Sequence, residues 1–146
     1  ALYETKTQII FDYERMLNKK VLAAVKEDDL ETPPRDRLFD ILMERFEAMN
    51  EHREALLMIL HDTRTDPRQA IIGAPHLAGS MAWMLEAAGI DTNGLRGAAK
   101  IAGLTGLYLK VVWTWAKDES EDLSATMAAL DKALNRAEKA ANMVGL

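Results

Sequence analysis

At 146 residues the chain has the length of one domain, long enough to bury roughly 70% of its unfolded surface without a covalent staple. It has no cysteine, which removes disulfides, thiolate metal sites and cysteine nucleophiles and fits a reducing, cytoplasmic setting. Eighteen basic against 23 acidic residues give a formal charge of −5, contrary to the basic footprint of a free-standing nucleic-acid binder.

In chain order, Ile10, Tyr13, Leu17, Val21 and Ala24 recur every three or four residues with polar residues between them, which predicts an amphipathic helix from about Ile9. It should fail between Glu27 and Pro34, where acids oppose the helix C-terminal dipole and two prolines follow. A second helix starts near Pro34 with Leu38, Ile41, Leu42, Phe46 and Met49 on its core side. Asn50 ends it and caps a third, Glu51 to about His61. Asp66-Pro67 is a start signal for a fourth helix, since proline at the first helical position loses no bond. Gly73-Ala74-Pro75 is expected to kink or split that helix, and Gly89 to end it in the left-handed conformation.

After a turn at Asp91–Gly94, a fifth helix is predicted over about Leu95–Ala116 and a last one over about Glu121–Met143, with Ser120 as candidate N-cap. No stretch alternates with period two. The expected fold class is therefore all-α, about six helices in a single domain spanning 1–146, with no repeat or linker. No secretory signal is visible, and the longest uncharged stretch, Gln69 to Leu85, is interrupted by glycines and a proline and is too short to span a membrane. Residues 66–115 hold only seven of the 41 charged side chains, so the fourth and fifth helices are expected to be central and covered on more than one side.

Nothing in the sequence argues for catalysis. His52, His61 and His76 fit no zinc or di-iron spacing, and no phosphate cradle, nucleophile elbow or carboxylate pair stands out, so no enzyme activity, metal or cofactor is expected. Residues 34–62 could pass for a helix-turn-helix, but they carry more acid than base and their second helix is apolar where base-reading residues belong.

Two other signals remain. Leu123, Met127, Leu130, Leu134, Ala137, Ala141 and Val144 form a heptad seam, and Ala98, Ala102 and Gly106 allow close approach on the preceding helix. The seam serves either the inside of one monomer or a homodimer. On the dimer reading, the interface is Ala102, Gly106, Leu123, Met127, Leu130 and Leu134. Methionines and aromatics on the central helices point either to ordinary core or to a mainly apolar pocket lined by Phe46, Met49, His76, Ser80, Trp83, Met84 and Tyr108. His76 and Ser80 would orient a neutral or weakly polar hydrophobic ligand there.

The runs Arg35-Asp36-Arg37-Leu38-Phe39-Asp40-Ile41-Leu42-Met43-Glu44-Arg45-Phe46-Glu47-Ala48-Met49-Asn50-Glu51-His52-Arg53, Gly79-Ser80-Met81-Ala82-Trp83-Met84-Leu85-Glu86-Ala87-Ala88-Gly89-Ile90, Trp113-Thr114-Trp115-Ala116-Lys117-Asp118 and Thr126-Met127-Ala128-Ala129-Leu130-Asp131-Lys132-Ala133-Leu134 resemble the C-terminal regulatory domain of TetR-type transcriptional regulators. The resemblance is to the branch similar to the lipid-binding protein of coenzyme Q biosynthesis. It implies a bacterial cytoplasmic repressor domain that binds a small hydrophobic effector and dimerises through a four-helix bundle of its last two helices. It also implies DNA contact only through a separate N-terminal domain, which this chain does not include; the lack of a spanning segment separately leads to the expectation of no stable membrane insertion. The alternative is a lipid- or isoprenoid-binding helical protein with no DNA role.

Overall fold

A computed structural model describes residues 2–24 and 31–146, apart from the side chains of residues 2–7, 22, 24, 69 and 70. It is all-α, with helices α1 (Leu2–Ala24), α2 (Pro34–Asn50), α3 (Arg53–Thr65), α4 (Pro67–Ala87), α5 (Gly94–Lys117) and α6 (Ser124–Met143), and no strand among the described residues. Glu27, Asp28 and Asp29, the acids expected to end the first helix, lie outside the described residues. No helix among those described is long and apolar enough to cross a membrane.

The hydrophobic stripe of α2 is the middle of the core. Leu38, Ile41, Leu42, Phe46 and Met49 are all buried, and α2 packs against α1, α3, α4 and α6. The fourth helix packs against α1, α2, α3 and α5. It continues as one helix through Pro75, so the helix is not split there. Pro75 and Ile71, whose carbonyl loses its partner, both face solvent, so water can satisfy the freed oxygen and the interruption stays local. Gly89 follows α4 at φ 85°, as its position after Ala88 predicts. Gly97 must be glycine, because a Cβ there would fall 1.9 Å from the Thr92 carbonyl oxygen where the 91–93 turn folds back on α5.

The last helix begins later than its sequence suggests. Leu123, not Ser120, precedes the first turn, in the left-handed region at φ 53° with its side chain buried. Asp118 does the capping from outside the helix. Its carboxylate accepts from the Thr126 amide and hydroxyl, both at 2.8 Å, from the Ser120 amide at 3.0 Å and from the Ser120 hydroxyl. The Ser124 amide donates to Ser120 Oγ at 3.1 Å and Asp122 Oδ1 at 3.2 Å, so the orphan donors of the first turn are met by an acidic loop, the charge the helix N-terminus favours. Nearby, Arg53 donates to the carbonyls of Trp115 and Ala116 and lies 4.7 Å from the Trp115 ring, closing the other end of the same connection at the α5 C-terminus.

Burial alone would raise the Asp118 carboxyl, but the hydrogen bonds from Ser120 and Thr126 outweigh it and hold it well below the usual carboxylate range. A depressed native pKa stabilises the fold fully above the unfolded value of about 4 and loses that contribution as pH falls through the native one. Asp118→Asn is therefore expected to cost about 2 kcal/mol at pH 7. Thermal melts at decreasing pH should show the gap to the unmodified chain narrowing below about pH 4.

Candidate functional site

Arg45 is a charged residue on the buried stripe of α2, one turn from both Ile41 and Met49, and it has no exposed surface. The guanidinium is held on three sides. Its Nη2 donates to both oxygens of Glu14 on α1 at 2.8 and 2.6 Å, Nη1 donates to Asn18 Oδ1 at 3.0 Å, and Nε donates to the Tyr108 hydroxyl of α5 at 2.8 Å. Ser80 of α4 completes the cluster, donating to Glu14 at 3.2 Å and accepting from Asn18 Nδ2 at 3.1 Å. The cation leaves water entirely while the Glu14 side chain stays 20% exposed, and the paired contacts from Nη2 with the added hydrogen bonds are what make the burial tolerable. Burial disfavours the Arg45 cation, but the neighbouring Tyr108 and Glu14 outweigh it and keep the group protonated.

A cavity of about 260 Å³ opens beside this cluster. Its walls are Ile10, Phe11, Tyr13 and Glu14 of α1, Met49 of α2, Leu56, Ile59, Leu60 and Thr63 of α3, Ile72, Gly73, Ala74 and Leu77 of α4, and Thr105, Tyr108, Leu109 and Val112 of α5. The lining is mostly aliphatic. Thr63 and Thr105 spend their hydroxyl protons on the carbonyls four residues back, at 2.8 and 2.7 Å. Tyr108 donates only to the Met49 sulfur, 3.2 Å away, which is a weak acceptor. The Tyr13 hydroxyl is buried and finds no hydrogen-bond partner among the described residues. Burial pushes its pKa up to about 12, against the pull of Arg45, so it is a neutral donor across the physiological range.

Of the residues expected to line a pocket, Met49 and Tyr108 do so and five do not. Phe46 and Met84 are fully buried core, with Phe46 stacked on Tyr108 at 5.4 Å between ring centroids. Ser80 is engaged by Glu14 and Asn18, His76 packs on Phe11 at 3.9 Å between ring centroids, and Trp83 is half-buried against the core. The cavity lies beside the first half of α4, residues 72–77, whereas Ser80, Trp83 and Met84 come one to two turns later. It is walled by α1 and α3, which the sequence reading left out.

The seam residues divide in the same way. Leu123, Leu130 and Leu134 are buried in the chain's own core, while Met127, Ala102 and Gly106 are exposed. The bare surface is on α5. Leu95, Ala98, Ala102, Gly106, Leu109 and Trp113 follow at intervals of 3, 4, 4, 3 and 4, all exposed, with Leu95 at 91% and no charge among them. Among the described residues the charge-poor fifth helix is thus covered mainly on its inner side, with Arg64 over the Trp113 ring at the end of the stripe. A second hollow, about 550 Å³ and open, lies between the start of α2, α5 and the second half of α6, where Ala99, Gly103, Ala137 and Ala141 are too small to fill it.

No family model matches the chain, and no match was found among the curated proteins or the solved structures.

The Arg45 cluster generates a stability prediction. Arg45→Met should cost about 3–5 kcal/mol by leaving the Glu14 carboxylate without its cation, whereas Arg45→Met combined with Glu14→Gln should cost clearly less than the two single changes added together. Urea denaturation of the three variants measures the difference.

Proposed function

We propose that this chain is the effector-binding and dimerisation domain of a TetR-type transcriptional repressor, taking a small hydrophobic ligand in the cavity and pairing with a second copy along α5. The observation that supports the reading best is the position of α5. One side of the helix, Thr105, Tyr108, Leu109 and Val112, forms a cavity wall, and an adjoining uncharged stripe from Leu95 through Leu109 to Trp113 is exposed, with Arg64 over the Trp113 ring. An exposed apolar stripe of this length on a helix marks an interaction surface, and small residues in its centre let a two-fold partner approach closely. A ligand that prefers one packing of α5 would then bias the pairing of the two copies by as much as its affinity differs between the packings.

Ala102 lies mid-stripe and exposed, so a charge there leaves the monomer intact. In a two-fold interface it would be buried twice, at several kcal/mol, enough to weaken pairing by about a thousandfold or more. Analytical ultracentrifugation at micromolar concentration is expected to give a dimer for the unmodified chain and a monomer of unchanged helicity and melting temperature for Ala102→Glu. A monomeric unmodified chain would remove the dimerisation half of the proposal.

A further inference from the structure

We infer that the 260 Å³ cavity is completed by a second copy of the chain, whose Leu95 closes the mouth beside Leu109, so that ligand binding and pairing strengthen one another. The inference rests on the ligand-binding and pairing readings above, and adds the register of the pair and its part in the site. Of the described residues that line the cavity, only Ile72, Ala74 and Leu109 are exposed. The opening is therefore rimmed by apolar side chains of α4 and α5. Leu109 also belongs to the bare α5 stripe, so whatever covers the stripe reaches the mouth.

The stripe itself argues for a second copy as its cover. Leu95, Ala98, Ala102, Gly106 and Leu109 are spaced 3, 4, 4 and 3, and both the spacing and the side-chain sizes read alike from either end about Ala102. A two-fold interface demands that self-complementarity, because a residue that meets another on the partner is met by it in return. Antiparallel pairing of α5 about Ala102 sets Ala102 against itself and Ala98 beside the partner's Gly106, where the backbones can approach. The same register brings the partner's Leu95, 91% exposed in the single chain, beside Leu109 at the cavity mouth. No charge lies on the stripe to oppose the approach. These five residues and Trp113 expose on the order of 400 Å² per copy, so covering both stripes removes roughly 800 Å² from water and leaves the flanking rows little to add to reach the ~1,000 Å² of a specific interface.

The chain has no cysteine, so disulfide trapping reports the register directly. Under air oxidation, Ala102→Cys and the double change Leu95→Cys with Leu109→Cys are expected to give covalent dimers. Leu95→Cys alone should give none, because the two copies of that position lie about 20 Å apart along the paired helices. Calorimetric titration with n-butylbenzene tests the closure. Apolar cavities of about 150 Å³ accommodate benzene, so this one has room for a probe of about ten heavy atoms. The probe is expected to bind the unmodified dimer roughly tenfold more tightly than the Ala102→Glu monomer, whose substitution lies outside the cavity wall, and by reciprocity to tighten the pairing of the unmodified chain. Equal affinities for dimer and monomer would overturn the closure. A covalent dimer from Leu95→Cys alone, none from the double change, or an Ala102→Glu chain that still pairs would overturn the register. An unmodified chain that stays monomeric with probe bound removes the pairing reading, one that binds no n-butylbenzene removes the ligand-binding reading, and either result takes this inference with it.

Discussion

The arrangement of the first, second, fourth and fifth helices depends on one buried ion pair. Arg45 sits where α2 faces inward, and its only means of staying charged there is the set of acceptors that Glu14, Asn18 and Tyr108 bring to it. Apolar burial is non-directional, whereas a guanidinium has a fixed fork and fixed directions. Glu14 and Asn18 are one turn apart on α1, so meeting both Nη atoms fixes the register of α1 on α2. Ser80 then ties α4 to the same carboxylate, and Tyr108 ties α5. The pair is weak evidence of high stability, since well-packed apolar residues of similar volume would often do as well. Its consequence is geometric: the helices that wall the cavity are held by a polar cluster beside it, while its interior is left to aliphatic side chains.

The paucity of charge in residues 66–115 has two causes. In the second half of α4 it reflects burial, with Met81, Met84 and Leu85 in the core, whereas Ile71, Ile72, Ala74 and Pro75 of the first half are exposed. In α5 about half of the uncharged positions face outward, and among the described residues only Trp113 has a cover, the Arg64 guanidinium 5.1 Å from its ring. Composition cannot separate these cases, because a side chain that is buried by its own chain and one that waits for another surface are drawn from the same residues. Periodicity distinguishes them only when the inner stripe is assigned first. Once Leu104, Tyr108, Val111 and Trp115 take the core side of α5, the run Leu95, Ala98, Ala102, Gly106, Leu109, Trp113 is left over.

Helix number, order and most boundaries were legible from the sequence for local reasons. Asp66-Pro67, the Asp91–Gly94 turn and Gly89 each specify backbone conformation within a few residues. The errors arose where a distant partner decides. Ser120 is a plausible N-cap by local rules, yet Asp118 takes the capping role because Thr126, eight residues on, offers it an amide and a hydroxyl. Pro75 reads as a break until its exposed side of α4 is known. Arg45, Glu14 and Asn18 read as solvated polar residues because charge is ordinarily outside. The signal that could have placed them is positional: Arg45 lies on the arc of Leu38, Ile41, Leu42 and Met49, and Glu14 falls between Ile10, Leu17 and Val21 on α1. Two opposite charges on two inward arcs can only be buried together.

Tyr108 joins these features physically. Its ring stacks on Phe46 in the core, its hydroxyl accepts from Arg45, and its edge is part of the cavity wall, all from a helix whose other side is the bare stripe. Any shift of Tyr108 as part of the cavity wall is also a change at Arg45, and through it at Glu14 and Asn18 on α1. Packed interiors yield by discrete repacking and do not deform continuously, so such a change moves helices as bodies or not at all. Under the proposed function, the ligand's effect on α1 and its effect on α5 are then a single event with two readouts. Its size is bounded by the difference in ligand affinity between the two arrangements, however tightly the preferred one binds.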